Sequence, residues 1–165
     1  MGSYLLLNTK KLRASKASPE IPNYRAWCLS ELPVHAATGY KSYVDDSAWM
    51  ANLWLGWTME FFVEMFALLH EGRDTKASVE IAYKQTLEQH HNFFQRTAFQ
   101  QAVKQLPVRQ KMIAALQGSS AKSLDVVRDM GDFVAFGRPI VRFCLQLNEE
   151  LSSRMTEERK AYLKR

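Results

Sequence analysis

Glycine, cysteine and proline are scarce in this chain of 165 residues, which contains seven Gly, two Cys and five Pro. Neither the Walker pattern nor Gly-x-Gly-x-x-Gly occurs, and these are the loops that hold nucleotide phosphates. The Gly-x-Ser-x-Gly turn that presents a nucleophilic serine is also absent. The sequence therefore predicts a protein that is not an enzyme and that uses no cofactor.

The two cysteines, Cys28 and Cys144, lie far apart and form no metal-binding spacing. We expect them to be reduced thiols of an intracellular protein. Helical bundles that hold two metal ions normally use two Glu-x-x-His pairs, and this chain has one, formed by Glu88 and His91. The sequence therefore predicts no metal site.

Long uninterrupted apolar runs are missing as well. The run at residues 4–7 is too short for the core of a signal peptide. The longest apolar stretch, residues 49–69, contains Glu60 and Glu64, and two acidic side chains are costly in lipid. We therefore expect residues 49–69 to form a buried helix of a cytoplasmic protein.

Apolar and aromatic residues are plentiful. Hydrophobic residues make up 47% of the chain and aromatics 12%, which is typical of one globular domain, here residues 1–165. Large apolar side chains can fill a core or line an apolar pocket. The net charge of +5 favours an anionic partner such as a phospholipid surface. No motif points to nucleic acid, so we expect no nucleic-acid partner.

Helical periodicity dominates, and no strand-like alternation competes with it, so the fold class is predicted as all-α. Predicted helices cover residues 4–16, 24–32, 45–70, 75–106, 107–117 and 140–163, and a kink within residues 75–106 is left open. A further apolar stripe begins near residue 123, and residues 137–139 interrupt it. Cys144, Leu147 and Leu151 share one helical face with Val141 and are predicted to point inward.

Two segments stand out by the order of their residues. The first is Trp49-Met-Ala-Asn-Leu-Trp54-Leu-Gly-Trp-Thr-Met-Glu-Phe-Phe, and it continues to His70-Glu-Gly-Arg-Asp74. The second is Ala82-Tyr-Lys-Gln-Thr-Leu-Glu-Gln-His-His91-Asn-Phe93, and it continues to Pro107 and Arg109. Over residues 42–151 the chain resembles the glycolipid transfer protein superfamily.

The resemblance implies a two-layer all-α fold around a hydrophobic tunnel. In that family the ceramide chains lie in the tunnel and the head group lies at its mouth. The implied function is binding a sphingolipid and moving it between membranes without catalysis. The implied partners are the sphingolipid and a transient membrane surface, which makes the protein cytoplasmic and peripheral at membranes.

The resemblance also assigns roles to residues by position. Trp54 is similar to the tryptophan on which the first sugar stacks, and His91 to the histidine that hydrogen-bonds the ceramide amide group. Phe93 resembles the aromatic residue of the membrane-docking face. The positions that resemble tunnel-lining residues are Met50, Phe99, Ala102 and Val103. Plain core packing is an equally open interpretation of these apolar residues.

The N-terminal part departs from the family pattern. The family carries Asp-x-x-x-Asn-x-x-Lys on an earlier helix, and the best match here supplies Asn8 and Lys11 as head-group residues. Tyr4 stands where the family has its aspartate, and the helix before this motif is missing. A shortened gene model, a truncated paralogue and an altered specificity all account for this difference.

The head group is predicted from the residues around Trp54. The branch of the family that binds ceramide phosphate places arginine near that position, so a tryptophan there favours a sugar. The family's Lys-Arg-Gly-like stretch is replaced here by Gly56-Trp57-Thr58. We therefore predict a glycosylceramide-like ligand. Ceramide-1-phosphate transfer, and a truncated interaction domain that has lost lipid binding, are the alternatives.

Overall fold

A computed structural model describes residues 2–14, 23–32, 47–117 and 123–163 of the chain. Within these ranges all regular secondary structure is helical, which confirms the predicted fold class. The α-helices are α1 (Gly2–Ala14), α2 (Tyr24–Ser30), α3 (Ala48–His70), α4 (Thr75–Gln85), α5 (Phe93–Lys104), α6 (Arg109–Gln117) and α7 (Ser123–Leu163). A 3₁₀ helix, Glu88–His90, follows α4 in the chain.

The described residues form two compact units. The first unit comprises the described parts of Met1–Gly56 and Arg142–Arg165, and the second comprises Trp57–Val141. Buried side chains form the core of the first unit: Cys28, Leu32, Ala48, Trp49, Leu147, Leu151 and Met155. The core of the second unit is formed by the buried side chains of Phe61, Met65, Leu69, Val79, Ala82, Tyr83, Leu87, Val103, Ile113, Val126 and Met130.

The long apolar stretch at residues 49–69 is helical, as predicted, and lies within α3. Phe61 and Leu69 are fully buried, whereas Glu60 and Glu64 are half-buried. Burial and the neighbouring Glu64 charge raise the pKa of the Glu60 carboxyl. Among the described helices, none combines the length and apolarity needed to cross a membrane.

The start of α3 is capped by Glu31, the residue that follows α2 in the chain. The sequence predicted an acidic signal from Asp45, Asp46 and Ser47, of which the two aspartates lie outside the described residues. The Ser47 hydroxyl accepts the Met50 N–H at 3.1 Å. The Glu31 carboxylate, which follows α2, accepts the N–H groups of Ala48 and Trp49, each at 3.1 Å. It therefore satisfies helix-terminal donors that would otherwise lack partners.

The turn after α3 confirms the predicted end of that helix. Gly72 has φ of 93°, in the left-handed region that favours glycine. Its N–H donates to the Leu69 carbonyl at 3.1 Å, and the Arg73 N–H donates to the Leu68 carbonyl at 3.1 Å. Asp74 then caps α4 by accepting the Lys76 N–H at 3.1 Å.

Residues 75–106 were predicted as one helix with a kink left open, and they form two α-helices instead, because the chain leaves α-helical geometry between α4 and α5. The Thr86 hydroxyl donates to the Ala82 carbonyl at 2.8 Å, and Thr86 has φ of −122° and ψ of −74°. Asn92 then begins a new helix with a capping box, in which its side chain and that of Gln95 each accept the other's N–H.

The predicted interruption at residues 137–139 is also wrong. Pro139 lies inside α7, which runs without a break from Ser123 to Leu163. A proline inside a helix removes one hydrogen bond and costs about 3 kcal/mol. Buried residues on both sides of the proline offset this cost, because Val126 and Met130 belong to the second core and Leu151 to the first.

Other predicted bounds differ by a few residues. Helix α1 occupies residues 2–14 rather than 4–16, and residues 15 and 16 lie outside the described part. Helix α6 begins at Arg109, two residues after Pro107. On α7, Val141, Leu147 and Leu151 are buried and Cys144 is half-buried, so the predicted inward face is confirmed.

Gly137 sits where α7 approaches the side chain of Val63 closely. A Cβ atom at position 137 would lie 2.7 Å from Val63 Cγ2, and Val63 is 1% exposed. We predict that Gly137→Ala lowers the free energy of unfolding by about 1–3 kcal/mol, because a buried valine has little room to move. Denaturant unfolding monitored by circular dichroism measures this loss.

Gly131→Ala is the matched control. Position 131 is also in α7, so alanine brings the same gain in helix propensity. Its Cβ would lie 2.9 Å from His70 Cε1, but His70 is exposed and can turn away with the loss of one exposed hydrogen bond to the Val127 carbonyl, so we expect a smaller loss than at position 137. Equal losses in the two variants would contradict the packing argument.

Candidate functional site

The candidate site in the second unit is centred on two consecutive histidines, His90 and His91. They end the 3₁₀ helix just before α5 begins. His91 has extended backbone, with φ of −97° and ψ of 137°. The Arg96 side chain fixes this backbone, since its Nε donates to the carbonyls of Glu88 at 3.0 Å and His91 at 2.9 Å.

The His91 ring is held by a buried tyrosine. The Tyr83 hydroxyl lies 3.0 Å from His91 Nδ1, and Tyr83 is 3% exposed. The Tyr83 ring stacks on the Phe99 ring with centroids 3.7 Å apart and an interplanar angle of 10°. Burial raises the pKa of the Tyr83 hydroxyl, so it is protonated at neutral pH and can donate a hydrogen bond.

His90 is held by a different aromatic ring. Trp57 stacks on His90 with centroids 3.4 Å apart and an interplanar angle of 10°. Burial, and then the neighbouring His91, lower the pKa of the His90 imidazole. Burial, and then the Arg96 charge, lower the pKa of His91. Both rings are therefore neutral at physiological pH, and each offers one donor and one acceptor nitrogen.

The predicted tunnel residues of the second unit have different environments. Val103 is buried in the core, Phe99 is half-buried, and Ala102 is exposed. Phe99 and Val103 line an open cleft of about 320 Å³. The other residues that line it are Lys76, Glu80, Tyr83, Lys84, Glu88, Gln100 and Lys104. Because charged side chains form much of its wall, this cleft differs from an apolar tunnel, and the tunnel stays a prediction.

Phe93 and Phe94 form an exposed aromatic pair at the start of α5. They are 75% and 80% exposed, with ring centroids 5.8 Å apart. The capping box of Asn92 and Gln95 fixes the first turn that carries them. Phe93 was predicted as the docking aromatic, and the structure adds Phe94 beside it. The structure therefore places two adjacent exposed rings at this position, and their role in docking stays a prediction.

The predicted head-group residues of the first unit lie on α1 and α3. Asn8 and Lys11, three residues apart on one face of α1, are 4% and 8% exposed. Met50 and Trp54 lie one turn apart on α3, and both are half-buried. The side chain of Tyr4 lies outside the described part of the chain.

Gly56 lies against α7 in the first unit. A Cβ atom at this position would be 3.2 Å from both Asn148 Nδ2 and Cys144 Cβ. The Asn148 Oδ1 atom accepts a 2.5 Å hydrogen bond from Asn52 Nδ2, and Asn52 is fully buried. The contact therefore leaves little room for a side chain at the position where the family commonly has a basic residue.

Among the described residues, no cluster of three or more histidine, cysteine, aspartate or glutamate side chains could hold a metal ion. Burial raises the pKa of the Cys28 thiol to about 12. A thiol with this pKa forms almost no thiolate at neutral pH, so Cys28 is a poor nucleophile.

Sequence reasoning did not identify Tyr83 and Trp57 as partners of the two histidines. Residues 83 and 91 would lie about 12 Å apart along the axis of a continuous helix, so helical spacing gave no signal for their contact. Trp57 was noticed only as a departure from the Lys-Arg-Gly-like stretch. The aromatic character of both residues was the one available signal, and it fits core packing equally well.

Comparison with known proteins identifies one family, and the similar solved structures include two ceramide-1-phosphate transfer proteins. The family model described as Glycolipid transfer protein (GLTP) matches residues 7–118, a span that contains Asn8, Lys11, Trp54 and His91. Mouse ceramide-1-phosphate transfer protein in its apo form has a TM-score of 0.77 and 17% identity, covering 92% of this chain and 76% of that chain.

The second structure is human ceramide-1-phosphate transfer protein in complex with 12:0 ceramide-1-phosphate. Its TM-score is 0.75 at 18% identity, covering 90% of this chain and 74% of that chain. At these identities the likeness shows a shared fold. No curated protein sequence matches the chain.

The two histidines predict a loss of stability in mild acid. Their pKa values are lowered in the folded state, so the unfolded chain binds more protons and stability falls as pH drops below about 6.5. In His90→Phe the ring can still stack on Trp57 but cannot be protonated. We predict a shallower fall for this variant in denaturant unfolding between about pH 7 and 5.5. If protonated His90 instead attracts the Trp57 ring, the unaltered chain will lose less stability in acid than His90→Phe does. That result would contradict the prediction.

Proposed function

Because the chain belongs to the glycolipid transfer protein family, we propose that it binds one sphingolipid with a glycosylated head group and transfers it between membranes. The family match over residues 7–118 is the observation that carries this proposal. The shared fold of the two transfer-protein structures supports it. Members of this family are lipid transfer proteins rather than enzymes.

The proposed energetics are those of moving lipid chains out of water. Each buried CH₂ group contributes about 0.8 kcal/mol, so an apolar tunnel supplies most of the affinity. A few polar groups at its mouth then select the head group. In the proposal, Met50, Phe99, Ala102 and Val103 contact the chains, and Asn8, Lys11 and Trp54 contact the head group.

A neutral head group is favoured by the residues that follow Trp54. Gly56 is packed against Asn148 and Cys144, and Trp57 is stacked on His90. Neither position carries a cation, whereas a phosphate is normally held by arginine or lysine. Trp54 in turn offers a flat aromatic face to a sugar ring. These features support a glycosylceramide-like ligand.

Ceramide-1-phosphate is the second candidate. The observation that favours it is that two of the similar structures are ceramide-1-phosphate transfer proteins, one of them with that lipid bound. A phosphate would require a cation at the head-group position, and Lys11 is the cation already proposed there. The two candidates differ in charge, so a transfer assay separates them.

We further propose that the protein works in the cytoplasm and touches membranes transiently. The net charge of +5 favours anionic lipid surfaces. The exposed Phe93 and Phe94 rings supply an apolar contact. Aromatic rings are well suited to the boundary between water and lipid.

The test of the function is transfer of fluorescent lipids between donor and acceptor vesicles. We predict that the protein moves glucosylceramide or galactosylceramide and does not move ceramide-1-phosphate. Transfer of the phosphate lipid alone would overturn the head-group assignment and retain the family function. Transfer of neither lipid would support a helical interaction domain without lipid binding.

Trp54→Ala is the variant for the head-group contact in this assay. It should reduce transfer of glycosylated ceramide more than transfer of plain ceramide, because only the former has a sugar to stack. Equal losses for both lipids would mean that Trp54 serves packing instead.

The proposed membrane contact of Phe93 and Phe94 can be tested by measuring vesicle binding, without measuring lipid transfer. Replacing Phe93 and Phe94 together by serine removes two exposed rings, so we expect weaker vesicle binding in a flotation assay. Phe136→Ser is the matched control, because Phe136 is likewise 75% exposed in the second unit. An equal loss in the control would show that exposed apolar area in general, rather than this pair, binds the vesicle.

A further inference from the structure

We propose that Tyr83 is a positioning residue that fixes the tautomer and orientation of the His91 ring, so that the ring presents its Nε2–H group to the amide carbonyl of a bound ceramide. This inference rests on the proposed lipid-binding function. It goes beyond that function by naming a residue that acts through His91 rather than on the lipid itself.

The phenol of Tyr83 is itself rigidly held. Tyr83 is 3% exposed, and its ring stacks on Phe99 with centroids 3.7 Å apart. The hydroxyl oxygen lies 3.0 Å from His91 Nδ1, which is an ordinary hydrogen-bond distance. Because the phenol cannot turn away without losing its stack, the imidazole has a fixed partner on one side.

The backbone of His91 is fixed as well. Arg96 Nε donates to the His91 carbonyl at 2.9 Å and to the Glu88 carbonyl at 3.0 Å. His91 also precedes the Asn92 capping box that starts α5. With backbone and Nδ1 both held, the direction of the remaining ring nitrogen is set.

The tautomer follows from which partner donates. A tyrosine hydroxyl that donates to Nδ1 leaves the proton of the neutral imidazole on Nε2. The Nε2–H group can then donate to a carbonyl oxygen. The opposite tautomer would make Nε2 an acceptor, which repels a carbonyl oxygen. A metal-binding histidine usually donates its second ring N–H to a carbonyl or carboxylate, and this hydrogen bond fixes the tautomer. Tyr83 has the same role here, except that the tyrosine donates and the histidine nitrogen accepts.

Protonation of the His91 ring removes the effect that we assign to Tyr83. An imidazolium ring carries a proton on both nitrogens, so Nε2–H is then present whether or not Tyr83 is there. The titratable and charged groups around His91 are Tyr83 on α4, Glu88 and His90 on the 3₁₀ helix, and Arg96 on α5. Removing the Tyr83 hydroxyl changes none of their charges at neutral or mildly acidic pH.

The first test is ¹⁵N NMR of histidine-labelled unaltered protein, because ¹⁵N shifts distinguish the two tautomers. His91→Gln assigns the signal. We expect the Nε2–H tautomer for His91 at about pH 7.5, where the ring is neutral. An Nδ1–H tautomer would overturn the proposal. This measurement needs neither lipid nor a Tyr83 variant.

The second test is glycosylceramide transfer by Tyr83→Phe, which keeps the stack on Phe99. At about pH 7.5 we expect transfer to fall about three- to tenfold, the effect of losing one hydrogen bond. At an acidic pH where the ¹⁵N shifts show His91 to be protonated, the gap to the unaltered protein should close, since protonation restores Nε2–H. The same gap at both pH values would mean that Tyr83 has only a packing role.

Ser78→Ala is the matched control, because it removes another buried hydroxyl on α4, one that donates to the Asp74 carbonyl at 2.9 Å and not to His91. Its transfer should have the pH profile of the unaltered protein. The two proposals fail in different ways. An Nδ1–H spectrum with lipid transfer intact overturns only the role of Tyr83. An Nε2–H spectrum with no transfer by the unaltered protein overturns the lipid function.

Discussion

The break between α4 and α5 is the constraint on which the histidine site depends. Residues 83 and 91 in a continuous helix would be about 12 Å apart along its axis, too far for a hydrogen bond. Thr86 ends helical geometry and Asn92 restarts it, so the chain folds back and the Tyr83 hydroxyl comes within 3.0 Å of His91. The stack of His90 on Trp57 belongs to the same stretch.

Helices and turns that depend only on residues nearby in the chain were predictable from the sequence. The apolar stretch at residues 49–69 is long enough to be helical, and Gly72 ends it with the positive φ that glycine favours. The break after Gln85 was missed, because threonine and asparagine within an apolar-periodic stretch are compatible with a kinked helix. The continuity of α7 through Pro139 was missed because tertiary packing, which the sequence does not display, offsets the proline.

The roles of Trp54, His91 and the other predicted site residues came from family resemblance, and they remain proposals. What the structure adds is the environment of each residue. Phe94 joins Phe93 as an exposed ring, and Tyr83 holds the His91 ring. Helical spacing predicts neither observation. The role of Phe94 depends on the exposure of its ring, and the contact between Tyr83 and His91 depends on the break between α4 and α5. The crowding around Gly56 supports the proposal of a neutral head group, which otherwise depends on residue type alone.

Native mass spectrometry after incubation with galactosylceramide vesicles tests the central claim most directly. We predict a complex with the mass of one chain and one glycosylated ceramide, and no such complex with vesicles of phosphatidylcholine alone. Only the mass of the free chain, from correctly folded helical protein, would contradict the proposed lipid binding.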